Sequence, residues 1–505
     1  MSRRAVVNTA FASYVQMASI ALTGLMSVSL ALKFLDTERM GLWSFVVQSL
    51  GYFLLLDFGI TGSVGRLMGE PLHSGDAKEC GRWLGLFLVI TGFQGLLIFL
   101  AGYFSTDWVI AWFNIPLPLQ SEARSLWIWM LSLNALTFPL RIGSGILFAQ
   151  NRNYWPLLAS AAATWVGLLA FFLFLKEGAS TLAYAYSAGL ATLISGVLPW
   201  LAVKWGPHRF KISFRDIRWS DLKMLFNFSS GVFVIGVAVQ VIFLSQSLVI
   251  TKLLGLSAVT LFTVSSRAGT YGLQILWRTF DSLYPRWQQL YVAGDRSLLA
   301  GSFQRYTGLT MSLALLGGTF LIVLNHPFVN LLNLWAHRPG IYAGVVFDAL
   351  LALYIWQHAW NHCLACVPVL AKDIRVLSWV AGLDMLLNIV MSVALAQTMG
   401  VKGILAGSII GSLVSVAYLT WRAPRYLSLT AGDLILPSLR RWLGMGACAV
   451  LAFLCLHFTD LSGNNLWLRG FFCVLTTGLF VVLHRDDLRE FWLRARRFKA
   501  AQTTA

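Results

Sequence analysis

Apolar runs of about twenty residues, the length that carries a helix across the hydrocarbon core of a bilayer, recur along the whole chain. They predict fourteen spans, beginning near Asn8, Met40, Arg82, Ser125, Tyr154, Thr181, Lys223, Ala258, Ser302, Ala343, Leu377, Gly403, Leu439 and Trp467. The longest connections, 204–223 and 422–439, hold about twenty residues, too few for a folded soluble domain. The N-terminus starts basic, but its apolar stretch continues to about Leu32 with no small-residue cleavage site, so it reads as a retained span. The expected fold class is an all-α polytopic membrane protein.

Composition agrees. The 505 residues are 57% hydrophobic and 12% charged, where a soluble chain carries about a quarter charged. Charge then sets the orientation. With the N-terminus in the cytoplasm and alternating spans, 27 of the 38 Lys and Arg fall on the cytoplasmic side and 8 on the opposite loops, while Arg141, Arg267 and Arg278 lie inside spans. That asymmetry puts both termini in the cytoplasm. It also accounts for the net charge of +17: the excess lines the face that meets anionic lipid, which argues against nucleic acid as a partner. Six scattered cysteines make no disulfide framework, and Cys363-x-x-Cys366 lacks a second ligand pair.

An internal repeat organises the spans. "SVSLALKFLDTERMGLW" from Ser27 and "SQSLVITKLLGLSAVTLF" from Ser245 share Ser-x-Ser-Leu and a following Lys. The same shift relates Asn8 to Asn227 and Gly75-Asp76 to Gly294-Asp295. Spans 1–6 thus repeat as 7–12 in one orientation, a transporter signature. The expected domains are an N-terminal lobe (1–205), a basic cytoplasmic linker (206–222), a C-terminal lobe (223–424), and two added helices with a basic tail (425–505).

A charge inside the hydrocarbon layer costs about 2.5–3.5 kcal/mol on insertion scales, so the polar residues within spans carry the functional signal. In span 8, Thr260, Thr263, Arg267, Tyr271, Gln274, Arg278 and Asp281 recur every three or four residues and share one helix face. Span 4 places Asn134, Thr137, Arg141 and Ser144 in the same way, with Pro139 between them. Gln16 in span 1 and Gln357 in span 10 add amides. Helix–helix hydrogen bonding explains scattered Ser and Thr, whereas three intramembrane arginines favour a wet, substrate-facing cavity. Arg278 is the weakest of them, because Asp281 three residues on can neutralise it. His358-x-x-x-His362 has zinc-ligand spacing but no acidic third ligand, so pore lining or packing is favoured over metal.

The stretch "LLLDFGITGSVGRLMGE" sets Asp57 nine residues from Arg66, on the opposite helix face, so the two cannot pair. Asp57 must find a partner on another helix, stay protonated or face water, and Gly59, Gly62 and Gly65 let the helix bend or a neighbour approach. Asp57, Asp348 and Asp384 are the candidates for coupling to a proton or sodium gradient; no other cofactor and no metal is expected.

"GLW" at Gly41, "LLDFGI" at Leu55 followed by Arg66, Pro285 leading to Gly294-Asp295, and "MGVKGILAG" at Met399 together resemble the Wzx-type polysaccharide flippases of the multidrug/oligosaccharidyl-lipid/polysaccharide exporter superfamily. The resemblance covers spans 1–12. It implies two six-helix lobes forming a V around a central cavity, a bacterial inner-membrane location, and alternating access. The implied cargo is an oligosaccharide on a polyprenyl pyrophosphate, with a polymerase and glycosyltransferases as pathway partners. Arg267 and Arg141 would hold its oxyanions through their fixed donor forks. Ser245-Gln246-Ser247 departs from the acid frequent near the end of span 7 in that family. A cation-coupled drug or metabolite antiporter and a lipid II flippase are the near alternatives. A membrane glycosyltransferase or polymerase, with Asp36-Thr37-Glu38 as loop acids, is the distant one; a solvated turn explains that loop better.

Overall fold

A computed structural model describes residues 3–57, 60–178, 180–206, 211–336, 340–371, 373–458, 466–487 and 489. In chain order its helices are α1 (Arg3–Phe34), α2 (Thr37–Gly51), α3 (Ile60–Leu67), α4 (Gly69–Ser74), α5 (Ala77–Phe104), α6 (Thr106–Trp112), α7 (Leu117–Ala149), α8 (Tyr154–Lys176) and α9 (Leu182–Lys204). There follow α10 (Trp219–Leu254), α11 (Leu256–Asp281), α12 (Tyr284–Val292), α13 (Arg296–Trp335), α14 (Val345–Leu370), α15 (Ile374–Met399), α16 (Val401–Gly411), α17 (Leu413–Arg422), α18 (Ala431–Phe458) and α19 (Leu466–Leu483). The protein is an all-α polytopic membrane protein. Helix is the form that satisfies every backbone group within its own segment, as a lipid environment requires.

The expected spans fall on helices. Ten candidate membrane spans stand among the described residues, one of them running through α16 and α17. Helices α11 and α14 carry the polar residues singled out above, and many side chains of α10, where the seventh span is expected, lie outside the described residues. The second expected span is interrupted: α2 stops at Gly51, a 3-10 segment runs from Tyr52 to Asp57, and α3 starts at Ile60. Asp57 therefore sits at a break in a helix, not halfway along one.

By contacts the chain forms two compact units. The first comprises 1–263, 332–340 and 381–404. In it α8 packs on α1 and α9, and α5 on α7. Trp43 stacks on Tyr184 with centroids 4.0 Å apart, and Trp165 donates to Ser19 Oγ at 3.1 Å. Asp36 caps α2 by accepting the Arg39 N–H at 2.7 Å, which explains that loop acid as a helix cap. Glu122 gathers three connections. It accepts from Ser180 Oγ at 2.6 Å, from the Thr181 N–H at 3.0 Å, and from Arg39 Nε at 3.0 Å.

Pro139 lies inside the continuous α7 and cannot donate to the Ala135 carbonyl one turn back. Helix α5 comes up to that carbonyl through Gly95, where a Cβ would fall 2.4 Å from Ala135 O. The glycine is needed for the approach.

The second unit comprises 264–331, 341–380 and 405–505. Phe280, Trp287 and Phe303 form an edge-packed aromatic core, with Trp287 centroids 4.9 and 5.6 Å from its neighbours. The added helices α18 and α19 pack on each other and on Ile322 and Val323 of α13. They are tied down at both ends of α19. Near its start Arg469 Nη1 donates to Val323 O. Just past its end, Asp487 receives Arg305 Nε at 3.0 Å, Arg441 Nη1 at 3.1 Å and His484 Nδ1 at 3.1 Å. Burial would raise the Asp487 carboxyl, but the His484 hydrogen bond and the charges of Arg305 and Arg441 outweigh it and hold the group below its ordinary range.

Two outcomes follow for stability. Gly95→Ala is expected to lower the yield and thermal midpoint of detergent-solubilised protein. Gly92→Ala, on the same helix but meeting nothing within 4 Å, is expected to change neither. The depressed Asp487 contributes stability that is complete above the ordinary carboxylate range and fades as pH falls through the lowered value, below about 4. The midpoint difference between wild type and Asp487→Asn should therefore hold steady from pH 8 to 5 and close under pH 4.

Candidate functional site

The first unit holds a half-open cavity of about 620 Å³, a volume within the range of small-molecule sites. Its walls come from α1, α2, α7, α8 and α9. Three residues singled out in the sequence meet here: Gln16 from α1, and Asn134 and Arg141 from α7, with Thr137 and Ser144 on the same face. The 3.6-residue repeat puts the α7 residues side by side. The fold adds Ser160 of α8 and Thr192 and Ser195 of α9, which sequence spacing alone did not separate from packing hydroxyls. Val47, Met130, Leu133, Leu140 and Leu157 supply apolar wall.

The polar lining divides by chemistry. Thr137 Oγ donates to Leu133 O at 2.8 Å, Ser195 Oγ to Thr192 O at 3.2 Å, and Asn134 Nδ2 to Met130 O at 2.9 Å. With these protons turned back onto their own helices, Thr137 and Ser195 present acceptor oxygen, while Gln16, Ser144, Ser160 and Thr192 carry groups that both donate and accept. Arg141 is the cationic side chain among the described lining residues, and it is half-buried. Asp57, at the break between α2 and α3, acts on it electrostatically. Arg141 is thus the described cation on which Asp57 acts; the Arg66 side chain lies outside the described residues. The cavity itself offers one guanidinium donor fork among hydroxyl and amide groups.

Five other candidates lie elsewhere, in the second unit. Arg267, half-buried on α11, lies over the Tyr271 ring with its guanidinium carbon 5.4 Å from the centroid, a favourable placement for a cation. Gln274 and Arg278 are exposed along the same stripe, whereas Thr260 near its start is fully buried. Asp281 does not serve Arg278. His362 Nε2 donates to its Oδ1 at 2.8 Å, and the His362 ring stacks on Trp277 at 4.8 Å. Gln357 is buried and donates to Ile409 O at 2.9 Å, a packing contact between α14 and α16.

His358 and His362 share no third ligand; among the described residues no group of His, Cys, Asp or Glu is arranged to hold a metal ion. All six cysteines are free thiols. Of the acids, Asp384 is buried on α15 one turn from buried Asn388. Asp348 is buried on α14 with Asn325 Nδ2 donating to it at 2.6 Å and the Tyr342 hydroxyl donating to its other oxygen. Asn325, Tyr342 and Arg469 were missed in the sequence reading. Arg469 counts there among the outer-loop charges, yet it lies within α19 and is 6% exposed.

No family model matches the sequence, nor does any curated protein. Solved structures do match the fold. The lipid II flippase MurJ in an inward closed conformation aligns at 15% identity with a TM-score of 0.72, covering 96% of this chain and 100% of its own. An inward-facing multidrug resistance MATE family transporter of the MOP superfamily aligns at 14% identity and TM-score 0.70, covering 82% of this chain and 99% of its own. A third, at 14% identity and TM-score 0.62, covers 84% of this chain and 96% of its own. It is a MOP superfamily transporter from Pyrococcus furiosus, for which the reverse polarity of the binding pocket suggests a different function. The chain is thus similar in fold to MOP superfamily transporters.

If the cavity is wet, Ser195→Cys in a background without the native cysteines should react with a charged, water-soluble thiosulfonate reagent. Leu131→Cys on α7, a fully buried position, should not. No mass shift at Ser195→Cys would mean that the cavity is closed to water.

Proposed function

We propose that this chain is a flippase that moves a polyprenyl-pyrophosphate-linked oligosaccharide from the cytoplasmic to the outer leaflet of the bacterial inner membrane, by alternating access, for surface polysaccharide synthesis. The observation that carries this reading is the cavity. Arg141 is its cation, hydroxyl and amide groups ring it, and apolar wall completes it. A guanidinium fork matches pyrophosphate oxygens in pairs, acceptor oxygens take sugar hydroxyl protons, and the apolar wall tolerates sugar ring faces. Arg267, over the Tyr271 ring, is proposed as a further cation for the cargo, with Gln274 and Arg278 on the same helix face. A cationic drug would be repelled by this lining.

The wider organisation is proposed with it: two six-helix lobes (1–205 and 223–424) joined by the basic segment 206–222, both termini in the cytoplasm, and residues 425–505 as the added helices and tail. Transport is not catalysis of bond change, so no catalytic residue is assigned. Asp57, Asp384 and Asp348 are the carboxylates proposed for coupling to a proton or sodium gradient. Asp57 suits the role because an anionic cargo and the Asp57 carboxylate compete for Arg141. Glycosyltransferases and a polymerase of the same pathway are the expected partners.

Lipid II is the second reading for the cargo. It is favoured by the MurJ alignment, which reaches 96% of this chain where the MATE transporter reaches 82%.

The test is flipping of a fluorescent polyprenyl-pyrophosphate oligosaccharide in proteoliposomes holding the purified protein. Arg141→Ala and Arg267→Ala should each weaken cargo binding about tenfold to a hundredfold, the scale of a lost charge-assisted hydrogen bond, with unchanged protein yield. Wild-type flipping of lipid II alone would select the second reading. Flipping unaffected by both substitutions would remove the arginines from the mechanism.

A further inference from the structure

Helix α19 carries a cation into the interior of the second unit. Asp348, in the first turn of α14, is 0% exposed. Its two hydrogen-bond donors, Asn325 and Tyr342, are neutral, so neither cancels a carboxylate charge. Asn325 is committed on its amide side: Nδ2 also donates to Ser265 O at 2.8 Å. Its Oδ1 is left buried without a hydrogen-bond partner, and the residue is 1% exposed. Ser265 Oγ is held in turn by the Ala343 N–H at 3.1 Å. A buried cation stands in the same neighbourhood: Arg469 is 6% exposed, and its Nη1 donates to Val323 O, two residues before the Asn325 that bonds Asp348. His326 is the remaining titratable neighbour. Its ring is 4.7 Å from that of Tyr342, and Asn330 bonds its Nε2 at 3.0 Å.

We propose that Arg469 is the built-in counter-cation of Asp348, so that this buried carboxylate needs no ion from solution and the added helix pair α18–α19 completes the electrostatics of the unit it packs on. A carboxylate taken out of water is tolerated where a charge of opposite sign comes with it. Here that charge arrives from outside the sequence repeat, on a helix fastened to α13 near both of its ends. Arg469 is a positioning residue in this scheme, and Asp348 is withdrawn from the set of gradient-coupling acids. If the guanidinium is removed, Asp348 and the unpartnered Oδ1 of Asn325 are hard oxygen donors of the kind an alkali cation accepts.

The experiment compares thermal midpoints of the full-length purified protein in detergent, in sodium chloride and in choline chloride. Arg469→Gln should lower the midpoint by several degrees in choline and recover part of the loss in sodium. Arg469→Lys, which keeps the charge, should stay near wild type in both salts. Asp348→Asn combined with Arg469→Gln should recover most of the loss and be indifferent to sodium. A double variant no more stable than Arg469→Gln alone overturns the proposal, as does a sodium-dependent rise in Arg469→Gln no larger than in wild type. No cargo enters this measurement, so its failure and a failure of the flippase reading are separately visible.

Discussion

A charge within a bilayer must be given either water or an opposite charge, because the hydrocarbon around it offers neither. That constraint orders the polar interior of this protein. Arg141 has both remedies, a cavity beside it and Asp57 within electrostatic reach. Arg267 lies over an aromatic face. Asp348 receives two neutral donors, one of them two residues from the carbonyl that buried Arg469 binds. Asp281 binds His362, and Arg278 is exposed. Each arrangement answers the cost of about 2.5–3.5 kcal/mol that a helix-centre charge otherwise carries.

The cavity also shows how a hydrophobic chain builds a polar site from few charges. Hydroxyl and amide groups on α7 and α9 return their protons to carbonyls three or four residues back. The hydroxyl lone pairs that remain can accept from a bound molecule. Among the described lining residues Arg141 carries the formal charge, and it sets the sign of the charge the site prefers. The fold resemblance to MOP superfamily transporters fits a site of this kind, and the low identities explain why the polarity of the lining has to be read from this chain's own residues.

Helix positions and type were legible in the sequence because they depend on local properties. Apolar length marks each span, and backbone saturation within the segment does the rest. The alignment of Asn134, Thr137, Arg141 and Ser144, or of Arg267, Tyr271, Gln274 and Arg278, was legible for the same reason: helical repeat is a property of neighbours in the chain. The interruption at Tyr52–Asp57 was visible only in outline, as glycines around an acid. Where a helix stops depends on what packs against it, which the linear pattern does not hold.

Partners were another matter. Asp57 and Arg141 stand 84 positions apart, Asp348 and Arg469 farther still, and nothing in the spacing of either pair links them. Glu122, which binds Ser180, Thr181 and Arg39, carried no signal at all. Gln357 and Gln16 look equivalent as amides within spans, yet one packs on Ile409 and the other lines the cavity. The amino-acid sequence by itself determined that charges lie within long apolar helices, and along which face. Tertiary structure alone decided which of them meet water and which meet each other, because that depends on distances across helices that no periodicity along one helix can encode.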